Sequence, residues 1–241
     1  MKILTKTGLI LILVLGSVMA EEQPLPTSSE IRDLMLSNWG QVEDYEVDIR
    51  LSVNIPGFRM PARKIHYMYK APDKSKVEVK GFAVVPKQGI QPFITFLKDS
   101  VDLEVIGDTV FQGSPVYQVA LMDTFMNRPG RINLLVDKKH GSVYQVRVAS
   151  ETQVFFEMTS VYDELKGIWL PNQSEITMHF PPDFKNIQRL GKKPTDMEAF
   201  DASMTDEWLE GSISIKFKEY KVNTGLPDYL FEEDEEDIIQ D

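Results

Sequence analysis

From Tyr45 to Ile55 the chain alternates without exception. Tyr45, Val47, Ile49, Leu51, Val53 and Ile55 are apolar, and Glu46, Asp48, Arg50, Ser52 and Asn54 stand between them. Successive side chains of a strand point to opposite faces, so this pattern specifies a long strand with one dry and one wet face. Such a strand belongs in an antiparallel sheet, because parallel sheets are covered on both sides and their strands read as continuous apolar runs. One strand cannot bury its own dry face. The remaining sequence has to supply neighbours for its edges and cover for its apolar side.

The neighbours are legible. Ile65, Tyr67 and Tyr69 alternate with Lys64, His66 and Lys70 up to a turn at Ala71-Pro72-Asp73, and Val77 and Val79 alternate with Lys76, Glu78 and Lys80. These segments and the first strand form a three-stranded meander. Further short strands are predicted at Leu103–Ile106, Thr109–Phe111, Val116–Met122, Ile132–Val136, Val143–Val148, Gln153–Tyr162, Ile168–Leu170 and Glu175–Phe180, and Ser212–Phe217 with Tyr220–Val222 form the last strand, with a bulge between them. Gly, Pro and Asp mark the turns between them. The predicted class is α+β, mainly antiparallel β, with about 10–11 strands, and a single sheet of that size must curl to bury its apolar face.

Two helices are predicted as cover. Thr27 and Glu30 make a capping box before Ser28–Trp39, where Ile31, Leu34, Met35 and Trp39 recur at helical spacing and Gly40 closes the segment. Pro92–Leu103 is apolar around most of its circumference, through Phe93, Ile94, Phe96, Leu97 and Val101. A helix of that kind is buried. It is expected to face the Tyr45–Ile55 strand across a pocket. The polar stretch Pro181–Glu210 is long for a connection. Glu232–Asp237 is a run of acids expected to extend into solvent.

The first twenty residues are set apart from the fold. Lys2 and Lys6 precede the apolar run Gly8–Leu15, and Val18-Met19-Ala20 offers compact residues at the cleavage positions. This is a secretory signal pattern, with cleavage expected after Ala20. The run is short for a membrane span and Glu21-Glu22 follow at once, so stable membrane insertion is not expected. The formal net charge of −11 becomes more negative when this lysine-bearing segment is removed. Such a chain does not bind nucleic acid by counterion release, and an anionic membrane repels it as a whole.

The chemistry is sparse. With no cysteine there are no disulfides, Cys-ligated metals or thiol nucleophiles. His66, His140 and His179 are far apart in sequence, and no His-Glu-x-x-His, Gly-x-Ser-x-Gly or glycine-rich phosphate loop occurs. Glu46 and Asp48 share the wet strand face and read as solvated charges. The chain is therefore read as a non-enzyme, with no cofactor, metal or catalytic residue assigned.

Two features rise above this background. The apolar positions Tyr45, Val47, Ile49, Leu51, Tyr67, Tyr69, Phe93, Phe96, Tyr117, Leu134, Phe156 and Met178 form an inward set rich in aromatics and methionine. It reads either as an ordinary core or as a cavity suited to a flexible acyl chain. The second feature is a basic stretch within an acidic chain. Arg59, Arg63, Lys64, Lys70, Lys74, Lys76 and Lys80 stand against Asp73 and Glu78 alone. It reads as a lysine-guarded sheet edge or as a docking patch for something acidic.

In this order the elements resemble the LolA-like superfamily of periplasmic lipoprotein-sorting and lipid-carrier proteins. The resemblance rests on Val42-Glu43-Asp44-Tyr45 opening the first strand and on the segments Tyr67–Lys74, Ile106–Gly113 and Leu134–Lys138. Trp169-Leu170-Pro171 and Leu226-Pro227-Asp228 through Phe231 complete it. It implies one domain over residues 21–231, after a 1–20 signal peptide and before a 232–241 acidic tail. That domain would be an unclosed half β-barrel with helices on its concave apolar face. It also implies a periplasmic carrier of lipid or lipoprotein acyl chains, working toward the outer membrane with a membrane transporter or acceptor protein. In such carriers an arginine near the mouth helps hold the lid, a role for which Arg59 and Arg63 are the candidates. The alternative is a periplasmic sensor or regulatory lipid-binding module acting through a protein partner.

Overall fold

A computed structural model describes residues 24–79, 103–125, 128–150, 153–180 and 208–232. The first helix, α1, spans Ser28–Trp39. Its start is the predicted capping box: the Glu30 N–H donates to Thr27 Oγ1 at 3.3 Å, and the Thr27 N–H donates to Glu30 Oε2 at 2.7 Å. Two of the donors that a helix start leaves open are thereby satisfied. At the other end the Gly40 N–H donates to Leu36 O at 2.8 Å. The buried face carries Ile31, Met35 and Asn38.

Ten strands follow among the described residues: β1 Asp44–Ile55, β2 Phe58–Lys70, β3 Lys74–Val79, β4 Leu103–Phe111, β5 Ser114–Phe125, β6 Arg128–Asp137, β7 Val143–Ala149, β8 Val154–Leu165, β9 Ile168–Phe180 and β10 Leu209–Val222. They form one sheet in the order β3-β2-β1-β10-β9-β8-β7-β6-β5-β4. Every neighbouring pair is antiparallel. The first three strands form one meander and the last seven another. The pairing of β1 with β10 welds the two, leaving β3 and β4 as the edges. The sheet is not closed, as expected of a half-barrel.

Two predicted breaks are bulges instead, and a third bulge is one the sequence predicts. Leu103–Ile106 and Thr109–Phe111 are one strand, β4, whose pairing with β5 shifts between Val105 and Gly107. Ser212–Phe217 and Tyr220–Val222 form one bulged last strand as expected, β10, with Glu219 at φ 56° where the chain takes its extra residue. Ile168–Leu170 and Glu175–Phe180 join through Pro171 into β9, which takes an extra residue at Asn172, since Val161 pairs with Gln173 and Tyr162 with Pro171. An extra residue interrupts the alternation, so each bulge reads as a gap in the sequence. The predicted polar connection ended at Glu210, whereas Leu209 and Glu210 belong to β10. Pro92–Val101 lies outside the described residues, and Leu103 opens a strand.

The concave face holds two closed clusters. One gathers Val42, Tyr45, Val47, Ile49, Leu51, Met60, Ile65 and Tyr67 with Ile168, Leu170, Ile215 and Val222. The other packs Ile31 and Met35 of α1 against Leu103, Val119, Leu121, Leu134, Val136, Val143 and Val146. Asn38 fastens α1 to β9: its Nδ2 donates to Trp169 O at 2.7 Å and its Oδ1 accepts the Trp169 N–H at 2.9 Å. Ser28 Oγ donates to Leu103 O at the opposite end of the helix. Gly141, in the β6–β7 turn, has φ 69°, and a Cβ there would fall on the Leu34 carbonyl and 2.8 Å from Met35 Cα. Only glycine lets this turn meet the helix backbone.

Candidate functional site

The register carries one row of apolar residues across the sheet. Val105 lies opposite Val119, Val119 opposite Leu134, Leu134 opposite Val146 and Val146 opposite Met158. Met158 then lies opposite Ile176, Ile176 opposite Ile213, Ile213 opposite Val53 and Val53 opposite Met60. Directly opposed residues share a face, so nine strands contribute one side chain each to the same concave stripe. A second row runs Leu103, Leu121, Ile132, Val148, Phe156, Met178.

Burial along these rows is uneven. Val119, Leu134, Val146 and Met60 are buried, whereas Phe156, Met158, Ile176, Met178, Ile213 and Val53 are half-buried. The less covered band lies on β8, β9, β10 and the end of β1. It is apolar and rich in methionine, and one end of the concave face stays partly open there. Flexible thioethers and an aromatic ring can conform to an alkyl chain of irregular shape.

The twelve expected cavity residues divide accordingly. Tyr45, Val47, Ile49, Leu51 and Tyr67 lie in the first closed cluster and Leu134 in the second. Tyr69 packs half-buried beside the first, and Tyr117 beside the second with Lys138 Nζ 4.7 Å from its ring centroid. Phe156 and Met178 sit directly opposite each other in the less covered band. Phe93 and Phe96 lie outside the described residues. Sequence reasoning left out Met158, Ile176, Ile213 and Val53. The signal was present, since Met158 and Ile176 stand two residues from chosen positions and continue their alternation.

Tyr45 is the hub of the closed side. Its ring centroid is 6.1 Å from Trp39, 5.8 Å from Tyr67, 5.4 Å from Tyr69 and 5.8 Å from Tyr220. Burial pushes the Tyr67 phenol up to about 12, and burial with neighbouring tyrosines raises Tyr45 well above its ordinary value. The cluster is thus uncharged at neutral pH and behaves as core.

The outer face differs from expectation. Glu46 and Asp48 are not freely solvated: their side chains are 19% and 18% exposed and every carboxylate oxygen has a cation or ring nitrogen beside it. Lys221 Nζ is 2.5 Å from Glu46 and Lys64 Nζ 2.6 Å from Asp48, while His66 presents one ring nitrogen to each acid at 3.3 and 3.0 Å. Hydrogen bonding from Lys221 holds Glu46 below its ordinary pKa, and hydrogen bonding from Lys64 does the same for Asp48. The alternation showed the face but not its cross-strand partners. Of the other histidines, His140 stacks on Trp169 with centroids 4.1 Å apart, and His179 is half-buried on β9. Among the described residues no group of three His, Cys, Asp or Glu is arranged to hold a metal ion.

Both candidate arginines are exposed near the β1–β2 turn, on opposite faces. Arg63 pairs in register with Leu51, a concave-face residue, and Arg59 with Asn54, an outer-face residue. Arg59 lines an open depression of about 290 Å³ with Ser52, Asn54, Ser212 and Ser214. Arg63 therefore shares the side of the apolar stripe.

No protein-family model matches the sequence, and no curated protein resembles it. Solved structures resemble the fold. A DUF1329 family protein from Desulfovibrio piger aligns over 86% of this chain and 98% of its own, with TM-score 0.56 and 13% identity. A putative outer membrane lipoprotein-sorting protein domain from Vibrio parahaemolyticus covers 85% of this chain and 97% of its own, with TM-score 0.54 and 12% identity. A LolA superfamily protein from Nitrosomonas europaea covers 87% of this chain and 99% of its own, with TM-score 0.52 and 11% identity. At these identities the likeness is one of fold, and the fold is LolA-like.

Proposed function

From a LolA-like sheet whose concave face is apolar and partly open, we propose that the chain is an exported, non-enzymatic carrier. It binds acyl chains of lipid or lipoprotein and works in the periplasm, toward the outer membrane. The observation that carries this reading is the half-buried band of Phe156, Met158, Ile176, Met178 and Ile213, contiguous in register with the closed core. The likeness of fold to a putative lipoprotein-sorting domain supports it. Each methylene moved out of water gains about 0.8 kcal/mol, so a sixteen-carbon chain gains on the order of 10 kcal/mol before ordering costs.

In this reading Arg63 stands at the rim on the side of the apolar stripe, where its planar fork can hold a carboxylate, a phosphate or a backbone carbonyl. The partners are the acyl cargo and a donor or acceptor protein that triggers release. Purification without detergent, followed by lipid extraction and mass spectrometry, tests the cargo. Near-stoichiometric acyl lipid is the expected result. Lipid-free protein recovered with a tightly held protein partner would favour the regulatory module instead.

A further inference from the structure

The outer face of β2, β1 and β10 carries a row of like charge. Lys64 lies directly opposite Arg50, and Arg50 directly opposite Lys216, so three cations stand side by side on strands about 4.8 Å apart. The row continues onto Gln173 of β9 with no acid in it. Like charges directly opposed destabilise a sheet, and a chain with 37 acids to 26 lysines and arginines has ample means to avoid them. Elsewhere the outer face matches its charges. Lys221 meets Glu46, His66 meets Asp48, and Lys70 and Lys74 of the β2–β3 hairpin hold Asp228 at 2.6 and 3.2 Å. In the row only Lys64 has a partner, Asp48, and its side chain is still 73% exposed. Arg50 and Lys216 are exposed and make no ion pair among the described residues.

Beside the row the face is hollow and hydroxylated. The β1–β2 register shifts between Leu51 and Val53, so Pro61 and Ala62 of β2 both face Ser52. Ser52 lies opposite Ser214, and Asn54 opposite both Ser212 and Arg59. These polar residues line one open depression of about 290 Å³, with Arg59 at the end away from the row. Ser214 Oγ donates to Glu175 Oε1 at 2.7 Å and can still accept, and the side chains of Ser52, Asn54 and Ser212 make no hydrogen bond among the described residues. One arginine fork satisfies a carboxylate, whereas a phosphate monoester offers three oxygens and close to two charges to several cations at once. We propose that this depression binds a soluble phosphorylated saccharide, with the phosphate on Lys64, Arg50 and Lys216 and the sugar hydroxyls on Ser52, Ser212 and Ser214. A small solute suits the charge balance better than a membrane does. The net charge of −11 repels an extended anionic surface as a whole, while the row acts locally. The site lies on the face opposite the apolar stripe, so it does not rest on the acyl cargo.

Backbone amide shifts of the native protein, followed during titration with glucose-6-phosphate, inorganic phosphate or glucose, test the site. Ionic strength is held at about 0.1 M so that screening is constant. The expected result is saturable shifts confined to residues 50–54, 59–64 and 212–216, with glucose-6-phosphate at least about fivefold tighter than phosphate or glucose alone. The Arg50→Gln/Lys216→Gln variant should bind both phosphates at least about tenfold more weakly, with a urea midpoint equal to the native one or higher, because it relieves like-charge repulsion. Ser52→Ala/Ser214→Ala should weaken glucose-6-phosphate and leave inorganic phosphate unchanged. The proposal is overturned by the absence of saturable shifts, by shifts centred elsewhere, or by equal affinities for glucose-6-phosphate and phosphate. Unchanged binding by the folded Arg50→Gln/Lys216→Gln variant would also overturn it. So would adsorption to phosphatidylglycerol vesicles through Arg50 and Lys216 with no response to glucose-6-phosphate, which would assign the row to a membrane surface.

Discussion

At Asp44 a single carboxylate joins the start of the sheet to the segment that follows its last strand. It is 2% exposed, and besides three N–H groups it accepts the Thr224 hydroxyl at 3.3 Å. Burial alone would raise its pKa, but the hydrogen bonds from Thr224, Leu226 and Gly225 outweigh burial and hold it below the ordinary value. Asp44→Ala strands these donors and should cost roughly 2–4 kcal/mol in urea unfolding. A loss below about 0.5 kcal/mol, the size of a surface substitution, would contradict this role. Glu46 and Asp48 are depressed as well. A carboxylate whose pKa is lower folded than unfolded adds stability that is complete above its unfolded value and disappears as pH falls through the folded one. The urea midpoint should therefore hold near neutral pH and drop steeply below about pH 4, more shallowly in Asp44→Asn. Equal pH slopes for native and Asp44→Asn would remove Asp44 from this account. None of it is legible locally. Asp44 precedes the alternation by one residue, and its partners lie some 180 positions away.

Helix α1 separates what a sequence shows from what it hides. Its start is written within four residues, Thr27 to Glu30, and needs no tertiary information. Its placement depends on contacts remote in sequence. Asn38 sits on the buried face of the helix where an apolar residue would fit the periodicity, and its amide instead clasps both backbone groups of Trp169, 131 residues on. Asn38→Ala leaves a buried donor and acceptor unmatched and should cost about 1–3 kcal/mol, read as a lower urea midpoint with helix content retained at zero denaturant. Gly141→Ala tests the other contact. It needs both a positive φ and space occupied by the helix backbone, so it should destabilise by about 2 kcal/mol or more, whereas the exposed positive-φ Gly113 should tolerate Ala at roughly 1 kcal/mol. Similar costs at the two glycines would mean that α1 does not bear on the turn. The strands repeat the pattern: β1 was legible from end to end because its long alternation needs only its own residues. The bulges in β4 and β9 broke the alternation and made single strands look like pairs, whereas the bulged β10 was legible as one strand.

For the molecule as a whole, the apolar stripe is the result of register. No strand declares it alone, since Met158, Ile176 and Ile213 become neighbours only when β8, β9 and β10 pair as they do. The sequence therefore supplied the fold class and much of the inward set, but not the division between closed clusters and the less covered band. A charge placed in that band has to leave water when an alkyl chain covers it, which costs several kcal/mol. The most direct test is a titration with a fluorescent sixteen-carbon fatty acid. Native protein, Met178→Asp and Val110→Asp are compared, Val110 being 67% exposed on edge strand β4. The account predicts saturable binding by the native chain, essentially unchanged binding by folded Val110→Asp and at least about tenfold weaker binding by folded Met178→Asp, a loss of about 1.4 kcal/mol or more. Equal affinities for native protein and folded Met178→Asp, or no saturable binding by lipid-stripped native protein, would contradict it.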